Sequence, residues 1–134
     1  MEELLHYVWK HKLFALKPLQ TTDGQPIEII DPGLANMHAG PDFFNAKIKI
    51  NDVTWVGNIE IHQQASDWFR HNHHLDPAYD SVILHVASDI DATPTRSNGE
   101  VIPQMELHYP PYLLKNYEEL IRADRYPACF RIIP

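Results

Sequence analysis

One cysteine, Cys129, is present in 134 residues, which excludes an internal disulfide and any thiolate zinc site. Its context, YPACFRII, predicts a small buried hydrophobe. Basic residues are also scarce: 11 Lys and Arg against 18 Asp and Glu leave a net charge of −7. That balance opposes broad electrostatic docking on a nucleic-acid duplex. It does not oppose a nuclease, because acids that hold a divalent cation contribute to the negative count. No apolar run is long enough to span a bilayer, so no membrane association is expected. The opening MEELLHYVWK has acids where a signal peptide carries its basic segment, so the expected location is cytoplasmic. There is no phosphate-binding glycine loop, no dinucleotide fingerprint and no nucleophile elbow around Ser66 or Ser81.

What is abundant is aromatic and histidine content: three Trp, six Tyr, five Phe and nine His, with 44% hydrophobic residues. This is the composition of a globular chain with one modest core, and residues 1–134 read as a single domain. In EELLHYVWKHKLFAL (2–16), Leu4, Leu5, Val8, Trp9, Leu13 and Leu16 share a helical stripe, Glu2 and Glu3 suit the first turn, and Pro18 is the expected stop. IEII (27–30) reads as a short strand. A second runs from about Phe43 to Ile50 and a third from about Val53 to His62, with Asn51-Asp52 as the hairpin turn. Ser66 is positioned to cap a helix over 66–74, SVILHVAS (81–88) reads as a central strand, and 101–109 as a weaker edge strand that could pair with a second copy in a homodimer. A final helix follows from the prolines at 110–111. A right-handed crossover through the 66–74 helix makes the third strand and the 81–88 strand parallel neighbours. The fold class is therefore α/β, with an α+β-like mixed sheet.

Two acids, Asp42 and Glu60, stand at the start of the second strand and near the end of the third, and His62 follows Glu60 by one strand period. To hold one cation they must share a sheet face. A two-residue turn pairs residue 50 with 53 and 48 with 55. Continued without a break, that register sets Asp42 opposite Ile61 and turns Glu60 away. One bulge repairs it, and Gly57 is the expected place; Asp42 would then oppose His62, with Glu60 on the same face.

The element order, with Pro41-Asp42 and Glu60-Ile61-His62, resembles the αβββαβ core of the PD-(D/E)XK nucleases, over about residues 2–88. The resemblance implies a restriction-endonuclease-like core with an added C-terminal strand and helix. It implies a Mg²⁺ or Mn²⁺ ion on Asp42 and Glu60, phosphodiester hydrolysis and a nucleic-acid partner. Asp42, Glu60 and His62 become the candidate catalytic residues. His62 stands where those nucleases carry lysine, and a histidine there can orient water or relay a proton. Glu3, Asn36 and His38 are candidate lining residues. GPDFFNAKI, GNIEIHQQASDW and HNHHLDPAYDSVILHV also look like an uncharacterised bacterial family known only as a domain of unknown function. Its members are longer, so this chain is expected to be the N-terminal part of one.

Two other readings compete. A catalytically inactive relative would serve as a binding or assembly module. A histidine-based metal protein would use HNHH (71–74), where His71 and His74 are spaced to share a helical face. A cluster that ends the helix is the plainer expectation there. His85, inside an apolar strand, is expected to be a hydrogen-bonded core histidine, with Asp80 or a site group as partner. Trp9, Trp55 and Trp68 are expected in the core.

Overall fold

The computed structural model describes residues 2–14 and 17–117, together with Glu119 and Arg122. Leu16 and Cys129 lie outside the described residues, as does part of the expected C-terminal helix, whose described start is helical at Tyr112–Lys115.

A mixed sheet forms the body. Its strands are β1 (Ile27–Asp31), β2 (Leu34–Ala35), β3 (Phe43–Ile50), β4 (Val53–Gln64), β5 (Val82–Asp89) and β6 (Gln104–Glu106). The spatial order is β1-β3-β4-β5-β6, with β2 pairing β3 beside this path. β1, β2, β3 and β4 pair antiparallel, whereas β4–β5 and β5–β6 are parallel. The crossover between β4 and β5 carries α2 (Asp67–Arg70) and two short 3₁₀ turns, His73–Leu75 and Pro77–Tyr79. The sheet thus has the mixed character read from the sequence, and β5 is an interior strand, buried over most of its length.

α1 (Glu2–His11) covers one face, setting Leu4, Leu5, Val8 and Trp9 on Phe43, Ile48, Ile59, Ile61, Leu84 and Val86. Its end differs from the expectation at Pro18. Lys12 turns left-handed (φ 54), its N–H returns to the Trp9 carbonyl and Leu13 N–H to that of Val8. This is a Schellman closure, which satisfies the last carbonyls before any proline is reached. No helix among the described residues is long and apolar enough to cross a membrane. Trp55 is about half exposed on the β3–β4 hairpin, while Trp9 and Trp68 are buried as expected.

The hairpin keeps the expected pairs Ile50–Val53 and Ile48–Trp55, and Asn51 takes the left-handed conformation (φ 53) its turn requires. The bulge lies on the opposite strand from the one expected. Ala46 pairs Gly57 and Phe43 pairs Ile59, so the extra residue is in β3, where Asn45 is left-handed (φ 58). Asparagine tolerates this conformation better than most residues. Gly57 serves another purpose: a Cβ there would stand 2.5 Å from Ile83 Cγ2 and 3.0 Å from the Ser81 carbonyl, so glycine admits the start of β5.

The helix expected over 66–74 is also shorter. Asn72 turns left-handed (φ 59) and ends it early. Ser66 stands at the cap position without capping; its N–H and hydroxyl both donate to Asp91.

Candidate functional site

The bulge at Asn45 moves Asp42 directly across from Glu60. The two side chains lock the strands together: Asp42 N–H donates to Glu60 Oε1 (3.2 Å) and Ile61 N–H donates to Asp42 Oδ2 (2.8 Å). Strand pairing continues this polar row across the sheet, with Glu60 beside His85 and His85 beside Gln104. His62, one period beyond Glu60, joins the same face. The row is deeply buried: Glu60 is 4% exposed, His62 1%, His85 0% and Gln104 4%.

The crossover supplies the roof. Trp68 sits edge-on to His73 and His85, anchored by its indole N–H on the Thr95 carbonyl (2.9 Å). Because the chain reverses at Asn72, it is His73 that turns inward. His73 Nε2 lies 3.0 Å and His62 Nε2 3.1 Å from the same oxygen, Glu60 Oε2. His71 lies at the exposed side, and His62, His71 and His73 each offer a ligand nitrogen within 4.8 Å of one another. His74, expected to pair with His71, packs on Phe69 instead. Tyr79 stacks on His73 with ring centroids 3.7 Å apart.

Behind His62 the hydrogen bonds run deeper. His62 Nδ1 is 2.8 Å from His85 Nε2, and His85 Nδ1 is 2.7 Å from Gln104 Oε1. Gln104 Nε2 donates to the Ala92 carbonyl (2.9 Å). Asp80 does not serve as the partner of His85; it caps Ser97.

The electrostatics separate the two acids. Burial pushes the Glu60 carboxyl up, but hydrogen bonds from His62 and His73, and the charge of His62, outweigh it and hold the group at about 2. Asp42 moves the other way: burial raises it and the Glu60 charge adds to that, against His6 and the Ile61 N–H. His6, on α1, brings Nε2 to 3.5 Å from Asp42 Oδ2, a charge contact longer than a full hydrogen bond. Burial alone would lower His6, yet Asp42, Glu2 and Glu60 together raise it. Burial lowers His85 to about 4, so it is neutral at ordinary pH. Burial and the charges of Glu60, Asp42 and Asp76 push Tyr79 up to about 12.

Of the expected site residues, Asp42, Glu60 and His62 do converge. Asn36 organises the loop before Asp42, donating to the Ala39 and Pro41 carbonyls and accepting from His38 N–H. His38 itself is exposed. Glu3 is exposed on α1, and the helix residue that reaches Asp42 is His6. His6, His73, Tyr79 and Gln104 were not legible as site residues. His73 lay inside the HNHH cluster, though its pairing was read as His71 with His74; His6 stands one helical turn after Glu2.

The donor set can be tested against a metal. With metal–ligand distances of about 2.1 Å, separations of 3.0 and 3.1 Å correspond to ligand angles of about 90–95°, and a widening of about 0.4 Å reaches the tetrahedral value. Imidazole nitrogens beside one ionised carboxylate suit Zn²⁺ better than Mg²⁺, which prefers oxygen.

No curated protein and no solved structure matches this chain. A family model described as a protein of unknown function, DUF2851, matches residues 2–134, and the chain belongs to that family.

Proposed function

We propose that the Glu60–His62–His73 cluster, with His71 at its open side, is a divalent-metal centre for phosphodiester hydrolysis. The observation that carries this reading is the meeting of two histidine nitrogens on one carboxylate oxygen, at 3.1 and 3.0 Å. Each of those gaps must hold either a proton or a shared cation. Zn²⁺ is the favoured ion and Mn²⁺ the second; Mg²⁺ fits the nitrogen donors less well. A bound metal would polarise the phosphate and lower the pKa of a water.

The chain's own groups support the division of labour. Glu60, held ionised, supplies the negative charge that retains a cation. Asp42, whose carboxyl burial raises, is the group suited to carry a proton toward a leaving oxygen. Exposed His71 marks the side from which a substrate can approach.

A second reading is a metal-binding module without hydrolysis. It is favoured by His62, which is buried with both ring nitrogens engaged and so is not free to act as the water-activating base. One experiment separates the two. Calorimetric titration of Zn²⁺ and Mn²⁺ into wild type, Glu60→Gln and His73→Ala should show one site, weakened in both variants. Cleavage of bis(p-nitrophenyl) phosphate, single-stranded DNA and RNA is then assayed with the bound metal. Binding without cleavage refutes the hydrolytic reading; no binding refutes both.

A further inference from the structure

The row behind His62 ends on an edge strand, far in sequence from the cluster it serves, and its hydrogen bonds have a fixed direction. Gln104 Nε2 donates to the Ala92 carbonyl at 2.9 Å. The amide is thereby oriented, and its Oε1 faces His85 Nδ1 at 2.7 Å. An amide oxygen only accepts, so His85 Nδ1 must carry the hydrogen. His85 is fully buried with no carboxylate hydrogen-bonded to it, so its ring is neutral and its Nε2 is an acceptor. The atom it faces at 2.8 Å is His62 Nδ1, which must therefore donate. That leaves His62 Nε2, 3.1 Å from Glu60 Oε2, as the nitrogen turned toward the cluster.

We propose that Gln104 is a positioning residue: through His85 it fixes His62 as the Nδ1–H tautomer and so delivers Nε2 to a metal. The inference rests on the metal-centre reading above. A free histidine side chain favours the opposite tautomer, with hydrogen on Nε2, which occupies the ligand atom. A buried relay that imposes the less favoured form therefore supplies ligand basicity and ring orientation together. Two of its members, His85 and Gln104, touch neither Glu60 nor His73 through a hydrogen bond, so the hydrogen-bonded route from them to the cluster runs through His62.

The test is long-range ¹H–¹⁵N NMR of the histidine rings in the full chain, before and after Zn²⁺, with Gln104→Met beside wild type. Methionine keeps length and volume while removing both amide partners. Wild type should show hydrogen on His62 Nδ1 in both states and metal-induced shifts at Nε2. Gln104→Met should lose the Nδ1–H signal and bind Zn²⁺ about 10- to 100-fold more weakly. A wild-type His62 lacking hydrogen on Nδ1, or ligating through Nδ1, overturns the proposal and leaves the metal centre standing. A folded Gln104→Met that binds Zn²⁺ as tightly as wild type overturns it as well. Should that variant not fold, the wild-type spectrum decides. Nδ1–H present in a wild type that binds no Zn²⁺ overturns the delivery of a ligand, and with it the metal reading itself.

Discussion

Consider urea unfolding of chelator-treated protein across about pH 7 to pH 4, with His85→Gln beside wild type. His85 is neutral and fully buried in the fold, and its titration is lowered from 6.5 to about 4. The unfolded chain therefore takes up this proton first. The stabilisation is complete above pH 6.5 and is lost as pH falls from 6.5 to about 4. Converted at 1.36 kcal/mol per pH unit, the loss is about 3 kcal/mol. Because the group is buried, solvent screening takes little of it. With m of about 1.5–3 kcal/mol/M, the wild-type midpoint should fall by about 1–2 M urea over this window. Glutamine in place of His85 retains an amide donor and acceptor but does not titrate, so its midpoint should move much less. Other groups act elsewhere or in the opposite sense. His6 is raised, so its stabilisation is full below 6.5 and is lost as pH rises through its folded value. Glu60 is lowered, so its contribution is lost as pH falls from 4.5 to about 2. Asp42 is raised, so it favours the fold most at low pH and offsets part of the His85 loss in both proteins. Parallel midpoint curves for wild type and His85→Gln would refute the neutral, buried assignment.

Three further outcomes follow from the geometry. Gly57→Ala should cost about 1–3 kcal/mol by urea unfolding, because its Cβ meets Ile83 and the Ser81 carbonyl; an unchanged midpoint means β5 is not seated on that glycine. Asn45→Val should cost about 1–2 kcal/mol for a β-branched residue at φ 58, while Asn45→Gly should stay within about 0.5 kcal/mol; equal losses in the two would show that the bulge conformation is not what matters there. Zn²⁺ at about 100 times its dissociation constant should stabilise wild type by about 2.7 kcal/mol in thermal or urea unfolding and His73→Ala by far less, with chelator abolishing the difference.

The sequence carried the alternation of β3 and β4, the Asn51-Asp52 turn and the apolar run of β5, because these are local patterns of period two and of turn chemistry. The convergence of Asp42 with Glu60 was legible only as a condition, that one bulge break the register. Which strand took the extra residue was not local. Gly57 looked like the weak point, but it is committed to the close approach of Ser81 and Ile83, so the slip falls to Asn45. The role of His73 was obscured for a related reason. A helical period over 66–74 groups His71 with His74, and only the left-handed Asn72 turns His73 inward under Trp68. Gln104 has no signature at all; an isolated glutamine on a weak strand becomes part of the site only through two successive parallel pairings.

The placement of that glutamine on β6 has a consequence for how the protein matures. Synthesis delivers Glu60, His62 and His73 well before Gln104, so a nascent chain holds the full set of nitrogen and oxygen donors while His62 is still free to choose its tautomer. On the metal-centre reading, the tautomer and ring orientation of His62 would then be set last, when the edge strand docks and the amide meets His85. On that reading, any event that pries β6 from β5, whether a competing strand or a cut nearby, would leave the donors in place yet release His62 from its imposed tautomer, and the cluster would hold a cation more weakly.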